Sequence, residues 1–231
     1  MMTKRSQEKE LLDLGHEFYD KTEYKDCLKK LFLVNKYFGF FRSTQKLLKP
    51  APKTATLIDV GCGSGLFLLH LSNYFPHMNM LGIDINPDAI LEGQSELNRW
   101  RNRELAQKVA FATQELHEVL AIKNVDILLA TLLCHHLSDE ELVTFFQQAY
   151  QKTNWMVIIN DLHRHRLAYW LFACFSPLLF RNRLITHDGL ISIQRGFTRA
   201  ELKTLLAKAN IADYQIKWCW PFRWQIILKK N

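Results

Sequence analysis

LIDVGCGSG, Leu57 to Gly65, is the stretch of this 231-residue chain whose reading decides the fold. A short apolar run of β character, Thr56 to Val60, empties into a loop with Gly61, Gly63 and Gly65. An amphipathic helix follows, with Leu66, Leu68, Leu69 and Leu71 as its apolar positions. Glycines at alternate positions let a backbone turn sharply and come close to a bound cofactor, where a Cβ would collide. The dinucleotide fingerprint is G-x-G-x-x-G, whereas the third glycine here arrives one residue early. That spacing argues against an oxidoreductase using a nicotinamide cofactor.

A second feature stands at the expected distance. In GIDINPDAI, Gly82 to Ile90, a second strand ends at Asp84, Asn86 reads as a helix N-cap and Pro87 opens the first turn. An acid at the tip of the second strand of an adenosine-binding α/β fold accepts hydrogen bonds from ribose hydroxyls. Asp84 fits that role better than a simple strand-end contact with solvent. LIDVGCGSG with Asp59 ahead of its glycines, together with GIDINPD, resembles the motifs of class I S-adenosylmethionine (SAM)-dependent methyltransferases.

The rest of the chain is consistent with one α/β unit. Strands at 56–60, 80–84, 108–113, 125–130 and 155–159 alternate with helices at about 65–75, 87–103, 139–151 and 199–209, the signature of a parallel sheet with helices on both faces. Ser138 with Glu141, and Thr198 with Glu201, have capping-box spacing. Tyr214–Trp220 and Trp224–Leu228 read as a closing hairpin, which matches the antiparallel edge of the family that the motifs resemble. The expected fold is therefore α/β, Rossmann-like: a mostly parallel seven-stranded sheet with a closing antiparallel hairpin.

Residues 7–49 look helical, with a break at Gly39 and an end at Pro50-Ala51-Pro52. The division predicted is an N-terminal helical cap, 1–53, placed as a lid over the strand ends, and a SAM-binding domain, 54–231. One segment exceeds a minimal fold. Leu167–Phe180, LAYWLFACFSPLLF, runs 14 residues without a charge. It is short of the roughly 20 residues needed to span a bilayer, and Pro177 lies within it. It reads either as a buried core helix or as an apolar substrate lid. With Arg164, Arg166, Arg181 and Arg183 on its flanks, the lid reading places arginines at lipid headgroups and Trp170, Phe172 and Phe175 inward, a reversible contact with an anionic membrane surface.

Composition narrows the class further. With 48% hydrophobic and 23% charged residues the chain is that of a soluble globular protein. Its net charge of +7 suits solubility as well as an anionic partner. Five scattered cysteines, without C-x-x-C spacing, argue for reduced thiols in the cytoplasm, and no apolar signal region follows the N-terminus.

Ligands of open α/β sheets lie at the carboxyl ends of the strands. The polar residues to weigh there are Thr131-Leu132-Leu133-Cys134-His135-His136 past the fourth strand and Asn160-Asp161-Leu162-His163-Arg164-His165 past the fifth. His163, beside the apolar insert, is the leading candidate for a general base, because a histidine takes a proton near neutral pH. A structural histidine is the competing reading, and His136 is the second candidate. The histidine pairs also raise a metal site, but alternating histidines on an extended segment do not converge and no third ligand stands near in sequence, so none is assigned.

The resemblance covers about residues 54–231 and implies SAM as cofactor. It implies a cofactor set of Asp59, Gly61, Cys62 (through its backbone N–H), Gly63, Gly65, Asp84, Ile85, Glu115 near the adenine, and Thr131. ATLLCHHLSDEEL, DCLKKLFLVNKYFG, NDLHRHRLAYWLF and FRNRLITHDGLISIQRGFT are similar to the small-molecule branch that includes ubiquinone- and menaquinone-biosynthesis-type methyltransferases. The implied acceptor is small and apolar: phenolic, quinone-like, or polyketide- or lipid-like. The alternatives are an RNA or DNA methyltransferase, which lacks support because Thr131-Leu132-Leu133-Cys134 stands where an Asn/Asp-Pro-Pro-aromatic motif belongs, and a non-catalytic SAM-binding scaffold.

Overall fold

The computed structural model describes residues 2–100, 103–119 and 125–230. Among the described residues seven strands are formed: β1 (Thr56–Val60), β2 (Asn79–Asp84), β3 (Val109–Thr113), β4 (Val125–Thr131), β5 (Thr153–Leu162), β6 (Tyr214–Cys219) and β7 (Arg223–Lys229). They lie in the order β3-β2-β1-β4-β5-β7-β6. The first five are parallel, and β7 runs antiparallel between β5 and β6. This is the sheet that the resemblance implies. The strand order reverses between β1 and β4, the place where open α/β sheets bind ligands.

The helices preceding the sheet are α1 (Leu11–Leu14), α2 (Lys21–Tyr37) and α3 (Phe40–Leu48). Gly39, at φ +82°, makes the break between α2 and α3. Within and after the sheet come α4 (Leu66–Ser72), α5 (Pro87–Arg99), α6 (Arg103–Ala106), α7 (Leu116–Val119), α8 (Asp139–Lys152), α9 (Arg166–Phe180), α10 (Arg183–Arg195) and α11 (Arg199–Lys208). Both expected capping boxes are present, at Ser138–Glu141 and Thr198–Glu201.

Alternation along the strands splits the core between the two faces. Leu128, Ala130, Val157 and Ile159 pack with Phe145 and Phe146 of α8 and Leu202 and Leu206 of α11. Leu57, Ile127, Leu129 and Ile158 face Phe41 of α3 and Phe67, Leu68 and Leu71 of α4. A smaller apolar cluster joins Tyr24 and Cys27 of α2 to Ala89 of α5 and Leu184 and Ile185 of α10. Helix α2 also runs alongside α5, pairing Lys21 with Asp88 at 3.2 Å, Lys25 with Glu92 at 2.7 Å and Lys29 with Glu96 at 3.9 Å. Such solvated pairs contribute little individually, but their repeat at every fourth residue fixes the register of α2.

Three differences from the sequence reading matter for the site. Strand β5 runs on to Leu162, because Asn160, Asp161 and Leu162 pair with Gln225, Trp224 and Arg223 of β7. His163 therefore follows the strand directly, and Asn160 and Asp161 belong to the strand. Helix α9 continues through Pro177 to Phe180. Helix α10 was not expected at all. Its cap is Asn182, whose Oδ1 accepts from Ile185 N at 3.2 Å and whose Nδ2 donates to Asp26 Oδ2 at 2.7 Å.

Candidate active site

Two adjoining cavities open at the carboxyl end of the sheet. The first, of about 440 Å³, lies at the tips of β1, β2 and β4. Its floor is the loop after β1, where Gly61, Gly63 and Gly65 all take positive φ. At Gly65, φ is +64° and the Phe111 ring stands where a Cβ would be. A side chain at this position meets both backbone strain and a clash. Gly63, at φ +55°, has only Leu28 Cδ2 near a would-be Cβ, at 3.4 Å, so the bare backbone leaves room for a ligand.

Asp84 ties this loop to the next one. Its Oδ2 accepts from Gly63 N at 2.8 Å and its Oδ1 from Asn86 N at 2.9 Å. Burial pushes its carboxyl up, and the two backbone N–H groups pull it back. Asn86 caps α5 through Asp88 N at 3.0 Å and donates to the hydroxyls of Tyr19 and Tyr24, so the N-terminal helices close over this loop. Ile85, 70% exposed, presents an apolar surface at the lip of the cavity.

Four buried polar atoms of residues that line this cavity have no hydrogen-bond partner: Asn35 Oδ1, Asp59 Oδ1, Gln114 Oε1 and His136 Nδ1. Burial, and then the charge of Asp84, push the Asp59 carboxyl well up. A cation with N–H donors is what such a carboxylate lacks, and a donor from a nitrogenous base is what Gln114 lacks. The α-ammonium and the adenine of SAM supply those groups, and the glycine loop leaves space beside them. The donor set fits SAM.

Most of the expected cofactor residues meet here: Asp59, Gly61, Cys62, Gly63, Asp84, Ile85 and Thr131 all line the cavity. Gly65 is the N-cap of α4 just behind it. Two details differ. The N–H of Cys62 does not face the cavity but donates to Ile83 O at 3.0 Å. Glu115 points outward, 3.2 Å from His117 and 64% exposed at its side chain, and its neighbour Gln114 holds the position expected for it. Side chains alternate along an extended segment, so a reading from spacing alone slips easily by one residue.

The second cavity, of about 470 Å³, lies between α2, the ends of β4 and β5, α9 and α10. Its walls are mostly apolar, with Leu31, Leu162, Leu171, Phe172, Phe175 and Ile185 among them. Leu132 and His136 line both cavities. Leu132 has φ +58°, a conformation that is costly for a branched side chain and that marks functional turns.

The polar groups of the second cavity gather around the histidine pair. His135 is 2% exposed, and its Nδ1 lies 2.8 Å from Asp161 Oδ1. On the other side, its Nε2 lies 3.5 Å from Glu10 Oε1. Burial alone would lower the imidazole, but the charges of Asp161 and Glu10 outweigh it and hold it up at about 9. Burial raises Asp161 and Glu10, but the facing imidazole more than compensates and holds both below the usual carboxylate range. His136 has its Nδ1 2.9 Å from Asp13 Oδ1 and its Nε2 3.9 Å from Glu10 Oε2. Arg195 clamps the pair from behind, donating to the carbonyls of His135 at 2.9 Å and His136 at 2.8 Å. Glu10 and Asp13 were invisible to the sequence reading. They lie about 120 residues from their partners in a polar stretch with no motif, and only the fold brings them in.

His163 lines the same cavity but is differently engaged. Its Nδ1 lies 3.2 Å from Trp218 Nε1, an N–H that can only donate. The neutral ring therefore carries its proton on Nε2 and offers a donor, not a lone pair. Burial, then the nearby His165 and Arg164, hold it below the usual 6.5, so it is neutral at pH 7. Arg164, expected at a surface, is buried: it donates to Gly196 O at 2.7 Å and pairs with Glu201.

A protein-family model described as a methyltransferase domain matches residues 58–154. No curated protein matches the sequence. Among solved structures, the chain is similar to PigF with SAH (TM-score 0.69, 13% identity, covering 97% of this chain and 63% of that one). It is also similar to magnesium protoporphyrin IX methyltransferase from Synechocystis PCC 6803 with bound SAH (TM-score 0.59, 14% identity, 84% of each chain). A third is an O-methyltransferase, so described provisionally, from Nostoc punctiforme PCC 73102 (TM-score 0.61, 14% identity, 82% of this chain and 55% of that one). The chain thus spans little more than half the length of the last and under two thirds of PigF. At these identities the likeness is one of fold.

Proposed function

We propose that this chain, whose residues 58–154 match a methyltransferase-domain model, is a class I SAM-dependent methyltransferase that methylates a small, apolar acceptor of the phenolic, quinone-like or polyketide- or lipid-like kind. The observation that carries this reading is the second cavity, walled by leucine, isoleucine and phenylalanine and joined to the cofactor cavity at Leu132 and His136. Bound SAM supplies a methyl group on a positive sulfur, whose S–C bond breaks as the acceptor's new bond forms. The protein's part is to hold the two reactants in line, and alignment of this kind is worth several orders of magnitude. Asp59, Gly63, Asp84, Ile85, Gln114 and Thr131 hold the cofactor. The apolar walls hold the acceptor and exclude water. Of the two histidines singled out as bases, His136 is the one at the junction, and it is the polar group that meets the acceptor's reacting atom.

The outer face of α9 extends the same chemistry. Trp170, Leu178 and Leu179 are 65%, 75% and 69% exposed, while Phe172 faces inward toward α10 rather than outward. Arg166 and Arg181 are exposed at the two ends of the helix. Arg183 instead pairs with Glu23 at 3.2 Å. Among the described residues no helix is long and apolar enough to cross a membrane. This face suits reversible contact with an anionic membrane surface from the cytoplasmic side, where a lipid-like acceptor would enter the cavity.

Incubation with methyl-labelled SAM and a panel of apolar phenols and quinols, beside transfer RNA and oligonucleotides, tests the reading. Label in an apolar phenol or quinol is expected. Label confined to nucleic acid overturns the acceptor class, and SAM binding without transfer to any cell extract points to a scaffold.

A further inference from the structure

We propose that Glu10, His135 and His136 form a binding site for a divalent transition-metal cation in the wall of the acceptor cavity. One ligand atom from each of the three lies within 4.8 Å of the other two, and this is the group of its kind found among the described residues. The detailed arrangement is more specific than proximity. Each imidazole has a carboxylate at Nδ1: Asp161 at 2.8 Å for His135 and Asp13 at 2.9 Å for His136. Each turns its Nε2 toward the same third carboxylate, Glu10, at 3.5 and 3.9 Å. Metal-bound histidines are held this way, the far nitrogen donating to a carboxylate so that the near lone pair is free and fixed in direction; His135 has that hydrogen bond to Asp161, while Asp13 stands beside His136 Nδ1 without one.

Independent observations support a missing occupant. His135 Nε2 is buried and has no hydrogen-bond partner. A buried nitrogen without a partner is costly, and a cation between it and Glu10 removes that cost. Metal–ligand bonds of about 2.0–2.2 Å set neighbouring ligand atoms roughly 3–3.5 Å apart; the His135–Glu10 spacing of 3.5 Å is already in that range, and the rest of the group, within 4.8 Å, has to close around the ion. Glu10 is already oriented, since Ser192 Oγ donates to its Oε1 at 2.7 Å. The backbone of the histidine pair is fixed by Arg195 and by Arg5, whose Nη2 donates to Leu137 O at 2.8 Å.

Two imidazoles and one carboxylate suit zinc, iron(II), cobalt(II) or manganese(II) rather than calcium or magnesium, which prefer all-oxygen sites. Three protein ligands leave coordination positions open, and all three side chains line the acceptor cavity. This deepens the methyltransferase reading and rests on it for one step only. An acceptor hydroxyl taking an open position would be acidified by the cation and lose its proton to solvent before its oxygen, or the ring carbon it activates, attacks the methyl group.

Binding itself is tested without acceptor or turnover. Full-length protein, stripped with a chelator and titrated with Co²⁺ alone, should take up one equivalent with visible d–d absorption. Glu10→Gln should weaken binding at least tenfold. Asp161→Asn, which changes the partner of the far nitrogen of His135 and keeps an oxygen for the backbone N–H groups of His135 and Leu162, should weaken it about 10–100-fold. Thermal melts in chelator establish that each variant is folded, and His136→Gln, at the partly exposed histidine, gives the same readout where Glu10→Gln does not fold. Folded wild type that takes up no Co²⁺, or an affinity that Glu10→Gln and His136→Gln leave unchanged, overturns the site and leaves an ion-pair clamp. SAM titrated into the same preparations separates that failure from a failure of the methyltransferase reading.

Discussion

The cofactor cavity and the acceptor cavity sit side by side on one sheet, yet they are encoded differently. The first is built from two contiguous runs, 57–65 and 82–90, in which strand, turn and helix cap follow one another within nine residues. The contact that joins those runs, Asp84 holding Gly63 N at 2.8 Å, is direct, and α2, Gln114 and Thr131 only complete the walls around it. The second draws its walls from α2, α9 and α10 and its polar groups from residues as far apart as Glu10 and His135. A local site is specified by backbone conformation, and a dispersed one by packing. Substitutions should therefore fail differently in the two.

The largest effect is expected at Gly65. An alanine there must hold φ near +64° and displace the Phe111 ring. Strain of about 1–3 kcal/mol for a non-glycine residue adds to a similar cost for overpacking. Gly65→Ala should lose several kcal/mol of stability in denaturant titration and bind SAM poorly. A variant of wild-type stability would show that this loop is more plastic than its contacts with Phe111 and Cys62 imply.

Asp84→Ala comes next. The carboxylate accepts from two backbone N–H groups as well as from any ribose, and hydrogen bonds to a charged group are worth about 1.5–3 kcal/mol. SAM affinity should fall about 10–100-fold by calorimetry, with acceptor affinity little changed. Equal losses in both would mean that the two cavities are coupled through Asn86 and its tyrosine partners rather than separate.

The same contrast explains what could be read in advance. The sheet, its closing hairpin, both capping boxes and the cofactor loop follow from local patterning, and all of them are present. Helix α10 escaped notice because Gly189 and β-branched residues dilute its helical signal, and its cap Asn182 lacks an acid three residues on. The reason for Gly189 is a close approach: Phe172 of α9 occupies the space a Cβ would need. Gln114 and not Glu115 lines the cavity, because spacing fixes a neighbourhood but not a face. Glu10 and Asp13 had no local signal of any kind.

Gly189→Ala sharpens the comparison from the acceptor side. Alanine favours a helix over glycine by about 1 kcal/mol, which offsets part of the clash with Phe172. Stability should change little, while the displaced ring narrows the acceptor cavity. The expected result is a KM for the acceptor raised about tenfold, the size of effect that small changes in an apolar pocket produce, with SAM affinity unchanged. A change in SAM affinity instead would remove the distinction between the two cavities.

The smallest effect is expected at His163, although it was the residue that position alone favoured as base. A general base contributes about 10²–10⁴-fold, but it needs a free lone pair. Trp218 N–H occupies Nδ1 at 3.2 Å, which leaves the other nitrogen protonated in the neutral ring. His163→Ala should then cost less than about tenfold in turnover, the range of a lost orienting hydrogen bond rather than of lost proton transfer. The pH profile provides the second reading. His163 is held below the usual 6.5, so a base at this position would be active at pH 7 and would lose activity as pH falls through a value below 6.5. An acid limb in that range that vanishes in His163→Ala, together with a loss above a hundredfold, would mean that the Trp218 bond opens during turnover. Proton removal would then belong to the end of β5. A limb that His163→Ala leaves in place removes His163 as its source.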